Sequence, residues 1–142
     1  MLSWILKAYR YESPLSSLRH IDLIVPLSYA SLPHRLTRGT ERSVSLAIQY
    51  HLHFPTATLA VSDPSHSGFP NCADREYELK RQLIGTVAHV RAGSCTNSIE
   101  EAEAVRDALG ETPKNILLIC GEAHARSARR IWSQVFPKAI IY

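Results

Sequence analysis

Short apolar runs alternate with stretches of helical periodicity from residue 21 to the last residue of the chain. The runs cover 21–27, 57–62, 86–91, 115–120 and 139–142, each of strand length and rich in Val, Ile or Leu. Between them, 40–51, 73–84, 98–109 and 123–135 each hold about three helical turns with apolar residues on one side. Strict alternation with short connections predicts an α/β fold. The expected form is three-layered and Rossmann-like, a mainly parallel five-stranded sheet with helices on both faces and right-handed crossovers.

Helix boundaries follow from single residues. Ser98 is placed to cap the third helix, with Glu101 three positions on completing a capping box, and Gly110 and Pro113 stop it. Ile99, Ala102, Val105 and Leu109 fall at helical spacing, so that face is expected on the sheet. In the fourth helix Ala128, Ile131, Trp132 and Val135 play the same part. Arg126, Arg129 and Arg130 take the other side, and Pro137 ends the helix. Pro26 conflicts with a central strand, because proline has no amide hydrogen for a ladder, and it reads as a strand end or bulge. Segments 28–39 and 63–71 are long for such connections and are expected to rim a cleft.

A length of 142 residues suits one domain that buries its core without staples. The net charge of +3 is carried by scattered Lys and Arg without an aromatic-interleaved stripe, which argues against a nucleic-acid partner. Cys72, Cys95 and Cys120 have no paired spacing, so neither a disulfide framework nor a cysteine-based metal site is expected. The apolar start, 1–7, is too short to span a bilayer and lacks the features of a signal peptide. No integral membrane segment and a cytoplasmic location are therefore expected.

In an open α/β sheet the ligand sits beyond the carboxyl ends of the strands, where strand order reverses. Four turns converge on that edge. They supply Ser28 and Tyr29, then Ser62 and Asp63, then Ser94, Cys95, Asn97 and Ser98, and finally Gly121, Glu122 and His124. The small polar residues between Ala92 and Ser98 can offer hydroxyls and backbone amides to a phosphate, carboxylate or ribose, or can serve only to cap the next helix through Asn97 or Ser98. His124 opens a helix, where the positive end of the dipole favours neutral imidazole as base or donor. Glu122 beside it is a general base or a favourable first-turn charge, and His124 and Glu122 are the catalytic candidates. The pair His51 and His53 points to different faces of a helix, which disfavours a shared metal, and no metal site is expected. Asp63 and His66 in one loop are acid and base candidates or merely exposed polar residues. Glycine-rich dinucleotide and triphosphate signatures are absent. Ser28, Ser62 and Ser94 stand at strand ends, yet no local context marks any of them as an activated nucleophile.

Three separated segments, Ile21–Val25, Asn97–Ala102 and Ile116–His124 followed by Ala128, resemble the YdcF-like family, relatives of SanA and ElyC (domain of unknown function 218). The resemblance covers roughly residues 20–142 and leaves 1–19 as an N-terminal extension. Asn97, Ser98, Glu100, Glu101 and Ala102 fall on the family's Asn-Thr-x-Glu-Asn-Ala pattern. Cys120, Gly121, His124, Ser127 and Ala128 fall on its Thr-Ser-x-x-His-x-x-Arg-Ala motif. Departures are clear: Cys95 replaces a serine, Ala92 an acid and Ser127 the arginine, with Arg126 and Arg129 adjacent. The turn from Leu27 to Ala30 lacks the family's glycines, and Val61-Ser62-Asp63 replaces its Ser-Gly-Gly turn.

The resemblance implies a Rossmann-like domain with a polar cleft for a nucleotide-like or otherwise anionic small molecule, S-adenosylmethionine-like ligands included, and in membrane-anchored members a link to bacterial cell-envelope biogenesis. The expected function is small-molecule binding at the strand carboxyl ends, with enzymatic activity left open. Asn97 would bond the ligand, Glu100 would orient Asn97 or a backbone amide, and His124 would donate to an anionic group or move a proton. Ser28, Ser62, Asp63, Ser94, Cys95, Ser98, Gly121 and Arg126 complete the expected lining. The alternative is a non-catalytic interaction or scaffold domain with a degenerate cleft, self-associating as a homodimer through surfaces such as that near Trp4 and Ile5.

Overall fold

The computed structural model describes residues 18–29, 32, 34–65 and 72–142, the side chains of 72 and 73 apart. Residues 1–17 of the extension, with Trp4 and Ile5, and the loop histidine His66 lie outside the described residues. The elements run β1 (Leu23–Pro26), α1 (Arg38–His53), β2 (Thr58–Pro64), α2 (Cys72–Ile84), β3 (Val90–Cys95), α3 (Ser98–Ala108), β4 (Asn115–Ile119), a 3-10 turn (Glu122–His124), α4 (Ala125–Val135) and β5 (Ile140–Ile141). The strands form one parallel sheet in the order β3-β2-β1-β4-β5. Chain order reverses between β1 and β4, so a crevice is expected above their carboxyl ends.

The apolar strands are buried on both sides, and their alternation sorts the core into two layers. Ile24, Leu59, Val61, Leu117 and Ile119 face one side, where α1 and α2 bring Val44, Ala47 and Ile84. Leu23, Val25, Leu27, Ala60 and Ile116 face the other, against Ala102 and Val105 of α3 and Ala128 and Trp132 of α4. Trp132 is fully buried and stacks on Phe136 with ring centroids 5.5 Å apart. Each fully buried Val, Leu or Ile contributes about 1.5–3 kcal/mol. The Asp22 carboxylate accepts from the Lys114 and Asn115 amides, both at 2.9 Å, and ties the start of β1 to that of β4.

The structure departs from the sequence expectation at three points. The third strand is not 86–91 but Val90–Cys95: Gly93, at φ 102°, sits in a bulge that shifts the pairing with β2 between Val61 and Ser62 and carries the strand on through residues that read as a turn. The cap of α3 is Asn97, whose Oδ1 accepts from the amides of Ile99 and Glu100 at 3.0 Å. Glu100, not Glu101, reaches back, accepting from the amide and hydroxyl of Thr96 at 2.8 and 2.6 Å. Ala102 and Val105 of the expected face are buried at 0%, but Ile99 is left 50% exposed while Glu101 turns inward at 6%. Pro26 closes β1. Pairing of β1 with β2 is registered only at Leu23 with Thr58 and Ile24 with Leu59, so no hydrogen is demanded of the proline on that side.

Candidate functional site

Helix α2 buries two of its charged residues. Glu76, Lys80 and Ile84, spaced four apart, lie along one buried line at 4%, 0% and 3% exposure, while Leu83 is 44% exposed. The reason lies at the end of the sheet. Past Ile24 the registered pairing of β1 with β2 stops, and Lys80 Nζ reaches between their ends to donate to Ser28 Oγ at 2.5 Å and to the Ser62 carbonyl oxygen at 2.6 Å. Glu76 Oε1 is 3.3 Å from the same ammonium. From the opposite face Glu101 of α3 accepts from the Ser62 hydroxyl and bonds the Ser28 backbone amide. A polar chain therefore passes through the sheet from α2 to α3, with Ser28 and Ser62 as its middle links.

Ser62 and Asp63 are successive strand residues and point to opposite faces. Asp63 shares the α2 side with Lys80. Its Oδ2 accepts from Arg91 Nε of β3 at 2.6 Å, while Arg91 also donates to Asp74 at 2.6 Å and lies 4.2 Å over the Tyr77 ring. The Tyr77 hydroxyl is in turn 3.0 Å from His89 Nε2. Asp63 is 0% exposed, and its second oxygen, Oδ1, has no hydrogen-bond partner among the described residues.

Burial dominates the electrostatics. It raises the Glu101 carboxyl above its ordinary value against the opposing pull of the Ser62 hydroxyl and Lys80. Asp63 is raised for the same reason despite Arg91. Burial, with Glu101 nearby, pushes the Cys95 thiol to about 12 and the Cys120 thiol to about 11, so neither is a ready nucleophile. Ser28 is half-buried and accepts from Lys80, which leaves its own hydroxyl hydrogen to be given elsewhere. Lys80 lies between carboxylates and presents a hydrogen to Ser28, so the pair is arranged as a donor array and not as a base drawing a proton from serine.

The Tyr29 ring stands beside this cluster. A Cβ on Gly39 would come within 3.2 Å of Tyr29, and one on Gly121 within 3.8 Å, so the ring lies between the start of α1 and the turn after β4, beside the β1–β4 crevice. It is 52% exposed. The Tyr29 amide donates to Thr40 Oγ1 at 2.9 Å, and Thr37 Oγ1, which caps α1, donates to the Tyr29 carbonyl at 2.6 Å. The N-terminus of α1 is thus closed by its own residues.

No protein-family model, curated protein or solved structure matches the chain.

The expected site residues fall into three groups. Ser28, Ser62 and Asp63 meet at the ends of β1 and β2 in the network above, with Gly121 brought near through Tyr29. Asn97 and Glu100 make local bonds at the start of α3, where Ser98 is half-buried. Ser94 is exposed at the end of β3, and Cys95 is 3% exposed. His124 donates its amide to the Gly121 carbonyl, and its Nδ1 lies 3.1 Å from Ser127 Oγ, which also donates to the His124 carbonyl at 2.9 Å. Glu122 and Arg126 are exposed. His51 and His53 make no metal cluster among the described residues.

Sequence reasoning missed Lys80, Glu76, Glu101, Arg91 and Tyr77. Lys80 and Glu76 carried one usable signal, their place four and eight residues before the buried Ile84. At the opposite edge of the sheet a groove of about 670 Å³ runs past His20, Asp22, Thr58 and Lys114. Its carboxylate is already committed to joining β1 to β4, and the buried titratable cluster lies at the other end of the strands.

Proposed function

We propose that the protein is a small-molecule-binding α/β domain that takes a nucleotide-like or otherwise anionic ligand in the crevice above the carboxyl ends of β1 and β4. The observation that carries this reading is Lys80, a fully buried ammonium that donates to the hydroxyl of the half-buried Ser28 as well as to the Ser62 carbonyl. Removing a charge from water costs several kcal/mol, and an apolar side chain of similar volume would serve the fold as well or better. Buried charge that a fold does not need is expected where a ligand is bound. Ser28 donates its hydrogen to the ligand, Tyr29 offers a ring face, and Gly121 and His124 form the facing wall. Among the described residues no helix is long and apolar enough to cross a membrane, and the reading takes the protein as cytoplasmic with Cys95 and Cys120 as free thiols.

Membership of the YdcF-like family belongs to the same proposal. Glu101 stands where that family's pattern has asparagine, and Lys80 supplies the charge such an exchange requires.

The test is a thermal-shift screen against nucleotides, S-adenosylmethionine, sugar phosphates and phospholipid precursors. A ligand at a hundred times its Kd stabilises by about 2.7 kcal/mol, or about 9 °C for a chain of 142 residues. Ser28→Ala and His124→Ala should each reduce that shift. No shift with any of the four classes refutes binding and favours the scaffold alternative.

A further inference from the structure

Helices α3 and α4 pack side by side on one face of the sheet, and each returns from its carboxyl edge to its amino edge, so they run in the same direction. Both are 11 residues long. Their outward sides follow from their buried ones, because a residue two positions away lies about 200° round a helix. Away from the buried Ala102 and Val105, α3 turns out Glu100, Glu103 and Asp107; away from Ala128 and Trp132, α4 turns out Arg126 and Arg130. Glu103 is half-buried and the other four are exposed. Arg106, the cation of α3, is paired within its own helix to Asp107 at 2.9 Å, so the α3 side stays acidic. Among the described residues Glu103, Arg126 and Arg130 form no ion pair. Two parallel ridges of opposite charge therefore lie next to one another, and the acidic helix also exposes Ile99.

A face built of two unlike ridges fits its own copy in one way. Under a two-fold axis along the helices, α3 of each copy lies on α4 of the other, and acids meet arginines at both contacts. An axis across the helices would instead set α3 on α3 and α4 on α4, which like-charge repulsion opposes. We propose that the α3–α4 face is a homodimer interface, in which Glu103 and Asp107 of one copy face Arg126 and Arg130 of the other and Ile99 is covered. Helices about 16 Å long and about 10 Å apart present a face of about 16 by 20 Å, small beside the roughly 800 Å² per partner of a standard interface. The dimer is accordingly weak, with a Kd on the order of 100 μM, and charge fixes its orientation. Because the axis also runs along the strands, the carboxyl edges of both sheets open on the same side of the dimer.

Sedimentation equilibrium of the full chain, at concentrations from about 10 μM to about 1 mM that bracket this Kd, tests the interface. Raising the salt from about 20 to about 500 mM shortens the screening length and should weaken the dimer at least about ten-fold. Arg126→Glu with Arg130→Glu makes both ridges acidic, and Glu103→Arg with Asp107→Arg makes both basic. Each double variant, checked for folding by circular dichroism, should stay monomeric. Their equimolar mixture should form a heterodimer at least as tight as the native dimer, because every contact is then again between opposite charges. A native chain that is monomeric throughout at low salt, or whose association ignores salt, overturns the proposal. So does a double variant that dimerises like the native chain, which would place the contact elsewhere, or a mixture of folded variants that stays monomeric. If the variants fail to fold, the salt dependence of the native chain decides alone, and none of these results bears on the small-molecule reading.

Discussion

Replacing Lys80 with methionine tests the buried network most directly. The substitution keeps an unbranched side chain of similar length but removes the ammonium that lies 2.5 Å from Ser28 Oγ, 2.6 Å from the Ser62 carbonyl and 3.3 Å from Glu76. Glu76 and Glu101, at 4% and 6% exposure, then lose their central counter-charge. Breaking a buried pair on one side costs about 3–5 kcal/mol, because the surviving charge is stranded. With an unfolding entropy of about 2.1 cal/mol/K per residue, a chain of 142 residues loses about 10–17 °C in Tm. Urea unfolding followed by circular dichroism measures the loss. Combining Lys80→Met with Glu76→Leu and Glu101→Gln should recover at least half of it, since the buried charges leave together. A single variant that costs less than about 1 kcal/mol, or a triple variant no more stable than the single one, would refute the account of the network as charge-held.

Three further outcomes are expected. Because burial raises Glu101, the folded state holds its proton more tightly than the unfolded state. That contribution to stability is full below the ordinary value of 4.5 and declines as pH rises through the raised value. Glu101→Gln should therefore flatten the urea midpoint against pH above 4.5, and an unchanged slope would count against it. Asp22 runs the other way: burial raises it, but the amides of Asn115 and Lys114 and the nearby His20 outweigh that and leave it lowered, so its contribution is lost as pH falls. Asn97→Ala should cost about 1 kcal/mol in the same unfolding measurement by freeing the amides at the start of α3, and a cost near zero would show that Glu100 alone suffices as cap.

The architecture was legible because four of the five strands stand out as short, mainly apolar runs between helical stretches. Only β3 moved, since Ala92, Gly93 and Ser94 look like a turn in any reading by composition and need the bulge at Gly93 to act as strand. Ser28, Ser62 and Asp63 could be named as candidates because position alone, the end of a strand, selects them. Their partners were not, because Lys80 and Glu76 sit in a charged helix that looks solvated, and Glu101 was assigned to a cap that Glu100 provides. Which face of a helix is buried is normally set by its apolar residues. In α2 and α3 the bonds to Ser28 and Ser62 turn Leu83 and Ile99 outward instead.

The polar chain from Lys80 through Ser28 and Ser62 to Glu101 also bears on how the molecule opens. Helical layers on opposite faces of a sheet commonly share only the strands between them and can loosen separately. Here lifting α2 takes the counter-charge from the buried Glu101, and lifting α3 takes the acceptor from the Ser62 hydroxyl. The two layers should therefore open as one cooperative unit, with their slowest amides exchanging at a common free energy, and anything that engages the Ser28 hydroxyl would slow exchange on both faces at once.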